Sequence, residues 1–253
     1  MSSAAPALQF WQPRSSAAHP WLRALVTTRH GGTSAAPYDS LNLGLATGDA
    51  PERVHENRTR VQQALGIAAG RLQVLHQVHG TEIWDVPGAC PAAGDGLRTT
   101  VPQFALAVGI ADCVPAFAWD TRQRRLALLH AGWRGTAAGI LARALSHFLA
   151  SGSRATDLHV ALGPCIGPCC YAVSADVAAQ FPAVTTRPAP GGTYLDLRHA
   201  NRIQAEALGI LPQNIEADPP CTGCNLPQFF SHRREQGRTG RMWAIAWIDT
   251  AAE

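Results

Sequence analysis

An apolar run that ends in a histidine and a turn of small residues constrains this chain more than any other feature. Leu126 to Leu129 predicts a buried strand, and His130 follows it directly. Small residues come next, and an Ala-rich segment from about Thr136 predicts the start of a helix. A side chain at such a junction is held by a rigid element and faces a crevice. The pattern therefore predicts that His130 lies at a functional edge of a sheet.

Two upstream segments end in residues of similar chemistry. A strand predicted over residues 72–78 leads to His79, and one predicted over 104–110 leads to Asp112 and Cys113. If the strand ends converge, two imidazoles and a thiolate meet in one pocket, which is a donor set for zinc or copper. The spacing alone leaves an alternative open. Ten histidines are scattered along the chain, and Cys113 also fits a small buried hydrophobe.

Strands and helices are mixed along the chain and do not alternate one for one, which argues against a doubly wound parallel sheet. Further strands are predicted over 21–28, 81–86, 116–119, 158–162 and 242–248, and helices over 51–65, 135–151, 174–181 and 197–208. A length of 253 residues with 46% hydrophobic and 15% charged residues fits a compact chain. We therefore predict an α/β fold with mixed β-sheets flanked by helices. Residues 1–20 should be a loose segment, and residues 21–253 a single domain.

Composition excludes several classes of partner. The formal net charge of +3 and the lack of a basic run argue against nucleic acid. No apolar run reaches the length of a membrane span, so no membrane partner is predicted. Residues 1–20 lack the basic and apolar regions of a secretory signal, and the seven cysteines are an odd number. We therefore expect a cytoplasmic protein in a reducing compartment. The residues point to no particular oligomeric state.

Five of the remaining cysteines form two groups. Cys221 and Cys224 have the C-x-x-C spacing of half a zinc site, and Cys165, Cys169 and Cys170 are possible partners. The groups lie far apart in sequence with predicted helices between them, and the second group lacks a paired spacing. We therefore predict structural thiols here rather than a second metal site.

Seven short blocks occur in order between about residues 27 and 247. They are 40–44 (SLNLG), 56–58 (ENR), 77–81 (QVHGT), 111–115 (ADCVP), 130–135 (HAGWRG), 163–167 (GPCIG) and 231–234 (SHRR). Together they resemble the YfiH-type laccase-domain family, whose members are described as purine nucleoside phosphorylases with adenosine deaminase side activity. The resemblance implies one domain of mixed sheets in an α/β/β/α arrangement, similar to a cysteine-hydrolase-like fold.

The resemblance also implies a ligand set. The family's metal ligands fall on His79, Cys113 and His130, the three residues that the strand ends single out. The chain differs mildly from the family pattern at two places. Ile110 precedes the A-D-C block where a Thr is usual, and residues 94–97 (GDGL) replace a more typical block. We expect neither difference to touch a ligand.

Members of this family have been labelled as copper polyphenol oxidases, zinc-dependent nucleoside enzymes and peptidoglycan-precursor editing factors. Copper accepts a His₂Cys set too, so the ligands alone do not exclude it. A multicopper oxidase, however, uses H-x-H pairs, and the chain has none. Three protein ligands with an open fourth position suit a catalytic zinc. We therefore predict a zinc-dependent purine nucleoside enzyme that takes a small-molecule nucleoside and phosphate.

Roles for individual residues follow from this prediction. Cys113 is both ligand and catalytic residue, and Asp112 is either a general base or the group that orients a ligand imidazole. The expected anion and substrate contacts are Arg58 and Arg134 for phosphate, and Asn42, His76 and Gln77 for the sugar or base.

Three alternatives remain at this stage. One is a hydrolase acting on a peptidoglycan precursor, with Cys113 as nucleophile and a histidine as base. Another is a copper-dependent, laccase-like polyphenol oxidase. A third is a metal-stabilised interaction protein without catalysis, which predicts a closed, four-coordinate metal.

Overall fold

The computed structural model describes residues 7–88 and 93–250. Its strands are β1 Phe10–Trp11, β2 Leu22–Thr27, β3 Leu72–Val74, β4 Ile83–Asp85, β5 Gly96–Thr99, β6 Ala105–Ile110, β7 Val114–Asp120, β8 Arg125–Ala131, β9 Leu158–Leu162, β10 Ala172–Val173, β11 Thr186–Ala189, β12 Gly192–Leu195, β13 Ile215–Glu216 and β14 Met242–Ile248. Its α-helices are α1 Pro51–Ala64, α2 Trp133–Ala137, α3 Ile140–Ala150, α4 Ala175–Ala178 and α5 Leu197–Ala207. Short 3₁₀ turns cover Arg14–Ala18, Ala155–Asp157, Ala183–Thr185 and Pro212–Asn214.

The strands form two larger sheets and a small one. The first sheet has the order β1-β2-β14-β6-β3, and the second has the order β13-β9-β7-β8-β5-β4. The small sheet is β10-β12-β11. Each larger sheet is mixed: β14 is antiparallel to β6, whereas β3 is parallel to it. In the second sheet β7 and β8 are antiparallel, whereas β4 and β5 are parallel. The prediction of mixed sheets is confirmed.

Side chains along the central strands point alternately to the two faces of a sheet, and this alternation builds the layers. Phe117 and Trp119 of β7 are fully buried in the same core cluster as Leu106 of β6, so these side chains fill the space between the two larger sheets. Ala116 and Ala118 lie on the other face of β7, in a cluster with residues of α3 and α5. Successive side chains of a strand point to opposite faces, so one strand serves two cores.

Helices cover the outer faces of both larger sheets. Leu141 and Leu145 of α3 pack on the second sheet, where alanines leave room for them. Val61 of α1 packs with Trp243 and Trp247 of β14 on the outer face of the first sheet. The layers are therefore helix, sheet, sheet and helix, which confirms the expected α/β/β/α arrangement.

Several predicted helices differ from the observed ones. The helix predicted over 135–151 is two helices, because Gly139 between them has a φ of 76° in the left-handed region. The helix predicted over 174–181 is limited to α4. The strand predicted over 72–78 ends at Val74, where the chain leaves the first sheet and crosses to the second.

The N-terminal segment is attached to the domain from residue 7 onward, contrary to the expectation of a loose segment over 1–20. Strand β1 pairs with β2. The Glu216 carboxylate accepts hydrogen bonds from the backbone amides of Arg14 and Ser15, at 3.1 and 2.8 Å. Residues 1–6 lie outside the described residues. No helix in the described part of the chain combines the length and apolar character needed to cross a membrane.

Candidate metal centre and adjoining pockets

Two links between the larger sheets bring the predicted ligands together. β3 and β6 belong to the first sheet, and the strands that follow them, β4 and β7, belong to the second. His79 lies on the β3–β4 link and Cys113 on the β6–β7 link. His130 lies in β8, opposite Pro115 of β7. The three side chains therefore meet at one end of the sandwich of sheets.

The three side chains form a compact donor cluster. One donor atom from each of His79, Cys113 and His130 lies within 4.8 Å of the others. The two imidazole rings meet edge to face, with centroids 4.9 Å apart and an interplanar angle of 64°. Gly132 lies so close that a Cβ there would be 2.9 Å from His79 Nδ1 and 3.0 Å from Cys113 Sγ. Two imidazoles and a thiol that share one such space fit a zinc or copper ion.

Asp95 holds two of these donors in place. Its Oδ1 lies 2.7 Å from His130 Nδ1 and accepts the backbone amide of His79 at 3.0 Å. Its Oδ2 accepts the amides of Val78 and Gly80. The expectation that the block 94–97 touches no ligand is therefore wrong. A carboxylate on one ring nitrogen of a histidine fixes the tautomer that presents the other nitrogen to a metal.

The charged forms of Cys113, His130 and Asp95 stabilise one another. Burial raises the pKa of Cys113, but the charge and hydrogen bonds of His130 and His79 outweigh burial and lower that pKa to about 6. Burial lowers the pKa of His130, but the Cys113 thiolate and the Asp95 carboxylate outweigh it and raise that pKa to about 9. Burial also raises the pKa of Asp95, yet hydrogen bonds from His130 and backbone amides hold it below its usual value. Without a metal, the site therefore favours a thiolate beside an imidazolium.

Asp112 connects the Cys113 link to a C-terminal loop. Its Oδ1 accepts the hydroxyls of Thr222 and Ser231 at 2.6 and 2.7 Å, and its Oδ2 accepts the Arg233 amide at 2.6 Å. No ligand imidazole is among its hydrogen-bond partners in the described residues, so the orienting role considered for Asp112 falls to Asp95. These contacts also hold Asp112 at a φ of 91°, which costs a residue other than glycine on the order of 1–3 kcal/mol.

Two pockets adjoin the donor cluster. The first has a volume of about 270 Å³, and its lining residues are His79, Ala111, Asp112, Cys113, Trp133, Ile166, Tyr171, Leu197, His232, Arg233 and Arg241. The second has a volume of about 410 Å³, and its lining residues are Leu43, Gly44, Leu45, Ala46, Thr47, Arg58, Val74, Leu75, His76, Gln77, His79, Gly109, His130, Arg241 and Trp243. His79 and Arg241 line both pockets, so the cluster stands between them.

Two half-buried guanidinium groups line the second pocket. Arg58 lies over the ring of Trp243 at 4.9 Å, and its Nε donates to the Leu43 carbonyl at 2.9 Å. Arg241 donates to the carbonyls of Thr239 and Gly240. Burial lowers the pKa of both arginines because it removes water from a positive charge. An anion bound between them would offset that loss of solvation.

His76 and Gln77 line the second pocket, as a role in substrate binding requires. The Gln77 amide, however, exchanges hydrogen bonds of 2.7 Å each with the backbone N–H and carbonyl of Gly109. Those bonds connect the β3–β4 link to β6. Gln77 therefore holds the pocket wall, and the exposed His76 imidazole is the freer of the two side chains.

Asn42 and Arg134 are not brought into the site. Asn42 is fully buried, and its amide nitrogen donates to Thr47 and Asp49 while its oxygen accepts the Arg241 amide. Arg134 is exposed and lies over the ring of Trp133 at 4.3 Å. Neither residue lines either pocket in the described part of the chain. Of the residues expected to contact phosphate or substrate, these two therefore lie apart from the pockets that adjoin the donor cluster.

Sequence reasoning missed other residues at the site: Asp95, Tyr171, His232 and Arg241. The signal for Asp95 is its place directly before a strand whose Gly96 pairs with Leu129, next to His130. Arg241 directly precedes β14, whose first residue pairs with Ile110. Both signals become visible only when the strand pairing is known.

Comparison with known proteins finds a matching family model and several relatives. Residues 23–249 match the model of a family described as multi-copper polyphenol oxidoreductase laccase. The purine nucleoside phosphorylase YlmD of Geobacillus stearothermophilus is 38% identical over 245 residues, covering 87% of this chain and 88% of that protein. A purine nucleoside phosphorylase of Deinococcus radiodurans is 40% identical over 223 residues, covering 87% and 86%.

The chain belongs to the YfiH-type laccase-domain family. The crystal structure of YlmD from Geobacillus stearothermophilus has a TM-score of 0.87 and 34% identity, with 98% of both chains covered. The structure of YfiH from Bacillus licheniformis has a TM-score of 0.86 and 32% identity, again with 98% of both covered. The resemblance inferred from the seven blocks is confirmed, and the names of the curated relatives indicate an enzyme.

Proposed function

We propose that this protein is a metal-dependent purine nucleoside phosphorylase that also deaminates adenosine. The observation that carries the proposal is the position of His79, which belongs to the donor cluster and lines both pockets. A reaction between two bound molecules needs two sites that meet at one reacting centre. The names of the curated relatives support the phosphorylase part of this proposal.

The two pockets suit different parts of the substrates. Tyr171 and Trp133 give the first pocket aromatic walls for a purine base. Arg58 and Arg241 give the second pocket two cationic groups for phosphate. In phosphorolysis a phosphate oxygen bonds to C1′ of the ribose as the C1′–N9 bond breaks. The purine leaves with the bonding electrons and takes up a proton.

His79, Cys113 and His130 would hold the metal, and we propose zinc. Bound zinc polarises a substrate group or activates water, which suits the addition of water at C6 of adenosine and the loss of ammonia. Cys113 supplies the thiolate. Asp95 holds Nδ1 of His130, so that Nε2 is the nitrogen left for the metal.

His232 is the proposed proton carrier. It lines the first pocket, and burial together with the charge of Arg241 lowers its pKa. A neutral imidazole at pH 7 can accept a proton and return it. Asp112 is less suited to that role, because its carboxylate already accepts bonds from Thr222, Ser231 and Arg233. We assign Asp112 to positioning the pocket wall.

One observation favours a second candidate function. Cys113 and His130 lie in one donor cluster, and the lowered pKa of Cys113 beside the raised pKa of His130 is also typical of a cysteine nucleophile and its base. A metal-free site of this kind would suit a thiol hydrolase acting on a peptidoglycan precursor. The two candidates differ in whether the purified, active protein holds a metal through Cys113.

The main experiment measures metal content and turnover of adenosine and inosine, with and without phosphate, by chromatography of the purines. We expect phosphate-dependent release of adenine and hypoxanthine, and formation of inosine from adenosine without phosphate. Cys113→Ala should lose the metal of this site and both activities. Cys165→Ala is the matched control, because Cys165 is a buried thiol outside the donor cluster.

The phosphate assignment has its own comparison. Arg58→Ala should reduce phosphorolysis strongly and deamination little, because only phosphorolysis binds an anion. Arg60→Ala on the same helix is the control, since Arg60 pairs with Glu56. A larger loss of phosphorolysis in Arg134→Ala than in Arg58→Ala would contradict this assignment. Zinc-loaded protein that turns over no nucleoside would contradict the proposed function itself, and metal-free protein that cleaves a precursor through Cys113 would favour the hydrolase.

A further inference from the structure

A second group of metal-binding side chains lies outside the site described above. It consists of Cys169 and Cys170, which follow β9, and Cys221 and Cys224, which follow β13. Their sulfur atoms all lie within 4.8 Å of one another. Distance in sequence was the reason to expect separate structural thiols, and the fold removes that distance. We call these residues the four-cysteine cluster.

Backbone pairing brings the two segments together. Cys165 and Cys221 form an isolated parallel β-bridge. The Thr222 amide donates to the Cys165 carbonyl at 2.9 Å. This pairing places each cysteine group at the same end of the two segments. Cys165 itself is fully buried and is not part of the cluster.

The spacing of the sulfurs fits a tetrahedral metal. Cys224 Sγ lies 3.4 Å from both Cys169 Sγ and Cys170 Sγ, and all four cysteines are free. Sulfurs around a tetrahedral zinc lie about 3.8 Å apart, given Zn–S bonds of about 2.3 Å. Four thiols at this spacing share one centre, whereas a disulfide would join only two of them.

The surroundings of Cys221 Sγ also suit a thiolate ligand. The Gly167 amide donates to Cys221 Sγ at 3.1 Å, a contact that stabilises a charged sulfur. Glycine stands where a side chain would crowd the cluster. A Cβ on Gly223 would lie 3.1 Å from Cys170 Sγ, and one on Gly167 would lie 3.3 Å from Cys169 Sγ. Cys169 and Cys224 are exposed, so a metal ion can reach the cluster.

We propose that Cys169, Cys170, Cys221 and Cys224 bind one structural zinc ion. Four thiolates complete the coordination, so the site is closed to substrate. The ion would pin the wall of the first pocket, because Tyr171 directly follows Cys170. It would also hold Thr222, which lies between the other two ligands and donates to Asp112. This proposal does not depend on the proposed function.

The test separates the two metal sites by substitution. Cys113→Ala removes the donor cluster and should leave one tightly held zinc per chain, measured by mass spectrometry of purified protein after exposure to a chelator. Adding Cys224→Ser should remove that remaining zinc. Adding Cys165→Ala in place of Cys224→Ser should leave it bound. Thermal unfolding followed by circular dichroism shows whether each variant is folded.

A second measurement keeps the test independent of folding defects. Cobalt added to metal-free Cys113→Ala protein should give the visible and charge-transfer absorption of a tetrahedral thiolate site. Alkylation of the cysteines with and without a reductant reports any disulfide. Cys113→Ala protein that holds no zinc and no cobalt, with its thiols free or paired as disulfides, would overturn the proposal.

Discussion

Asp95 shows how much of the site depends on one side chain outside the ligand set. Its two oxygens meet the imidazole of His130 and the backbone amides of Val78, His79 and Gly80. The carboxylate is fully buried, and these donors are what stabilise its charge there. It therefore aligns two ligands, one on the β3–β4 link and one in β8.

We expect Asp95→Asn to weaken metal binding at the donor cluster by about 10- to 100-fold, the usual cost of losing a carboxylate that orients a ligand histidine. An asparagine has one acceptor oxygen, and its amide hydrogens would face the loop amides. Competition with a chromogenic chelator at neutral pH measures the affinity.

Asp120→Asn is the matched control for this change. Asp120 is equally buried and accepts backbone amides, but those of Arg122 and Gln123 at the far end of β7. It should leave the metal affinity unchanged. Equal metal affinity in wild type and Asp95→Asn would show that His130 is oriented by other contacts.

At the scale of the element, links rather than strands carry most of the site. The β3–β4 and β6–β7 links both pass from one larger sheet to the other, and each places a donor where the sheets end. The short strand β13 lies at the edge of the second sheet. Its Glu216 holds the N-terminal segment through the backbone amides of Arg14 and Ser15.

The attachment of the N-terminal segment should depend on pH. Burial raises the pKa of Glu216, but the hydrogen bonds from Ser15 and Arg14 outweigh it and lower that pKa below its ordinary value. A lowered folded-state pKa gives stability that is present above the unfolded pKa, about 4.3, and is lost as the pH falls through the folded one. The protection factor of the Ser15 amide, which compares its exchange rate with the intrinsic rate at the same pH, should therefore fall in acid.

Glu216→Gln should already lower the protection factor of the Ser15 amide at neutral pH. Because the substituted side chain does not titrate, that factor should change little further in acid. Glu52→Gln is the control, because Glu52 is an exposed carboxylate at the start of α1. Protection at Ser15 that is the same in wild type and Glu216→Gln at neutral pH would contradict the assigned contact.

At the scale of the whole molecule, one core holds the two larger sheets face to face. Phe117 and Trp119 of β7 and Leu106 of β6 are fully buried in it. The links that carry His79 and Cys113 cross between these same sheets. The geometry of the donor cluster therefore depends on the packing of the sheets, although the core residues themselves bear no ligand.

Phe117→Ala should lower the free energy of unfolding by about 3–5 kcal/mol, because it removes buried apolar surface and leaves a cavity between the sheets. Denaturant unfolding measures the change. Val184→Ala should stay within about 0.5 kcal/mol, because Val184 is 66% exposed. A cost below about 1 kcal/mol for Phe117→Ala would mean that the sheets close over the gap, or that this core contributes less than its burial indicates.

The sequence by itself determined the local elements and the chemistry that they carry. Apolar runs are long and regular at β6, β8 and β14, so their strands were predicted to within one or two residues at each end. His130 lies within β8 and Cys113 directly precedes β7, whereas His79 lies on the link after β3, which is shorter than the strand predicted there. The α/β class follows from the same runs and was confirmed.

Only the tertiary structure decided which side chains meet. Asp95 reaches His130 because Gly96 pairs with Leu129, and no local pattern specifies that register. Asn42 belongs to the block 40–44, yet it is buried away from both pockets. Its side-chain oxygen accepts a hydrogen bond from the distant Arg241 amide. The four-cysteine cluster depends on the pairing of β13 with β9 and on the bridge between Cys165 and Cys221. Contacts between distant segments are set by strand pairing and link crossings, which a one-dimensional pattern does not encode.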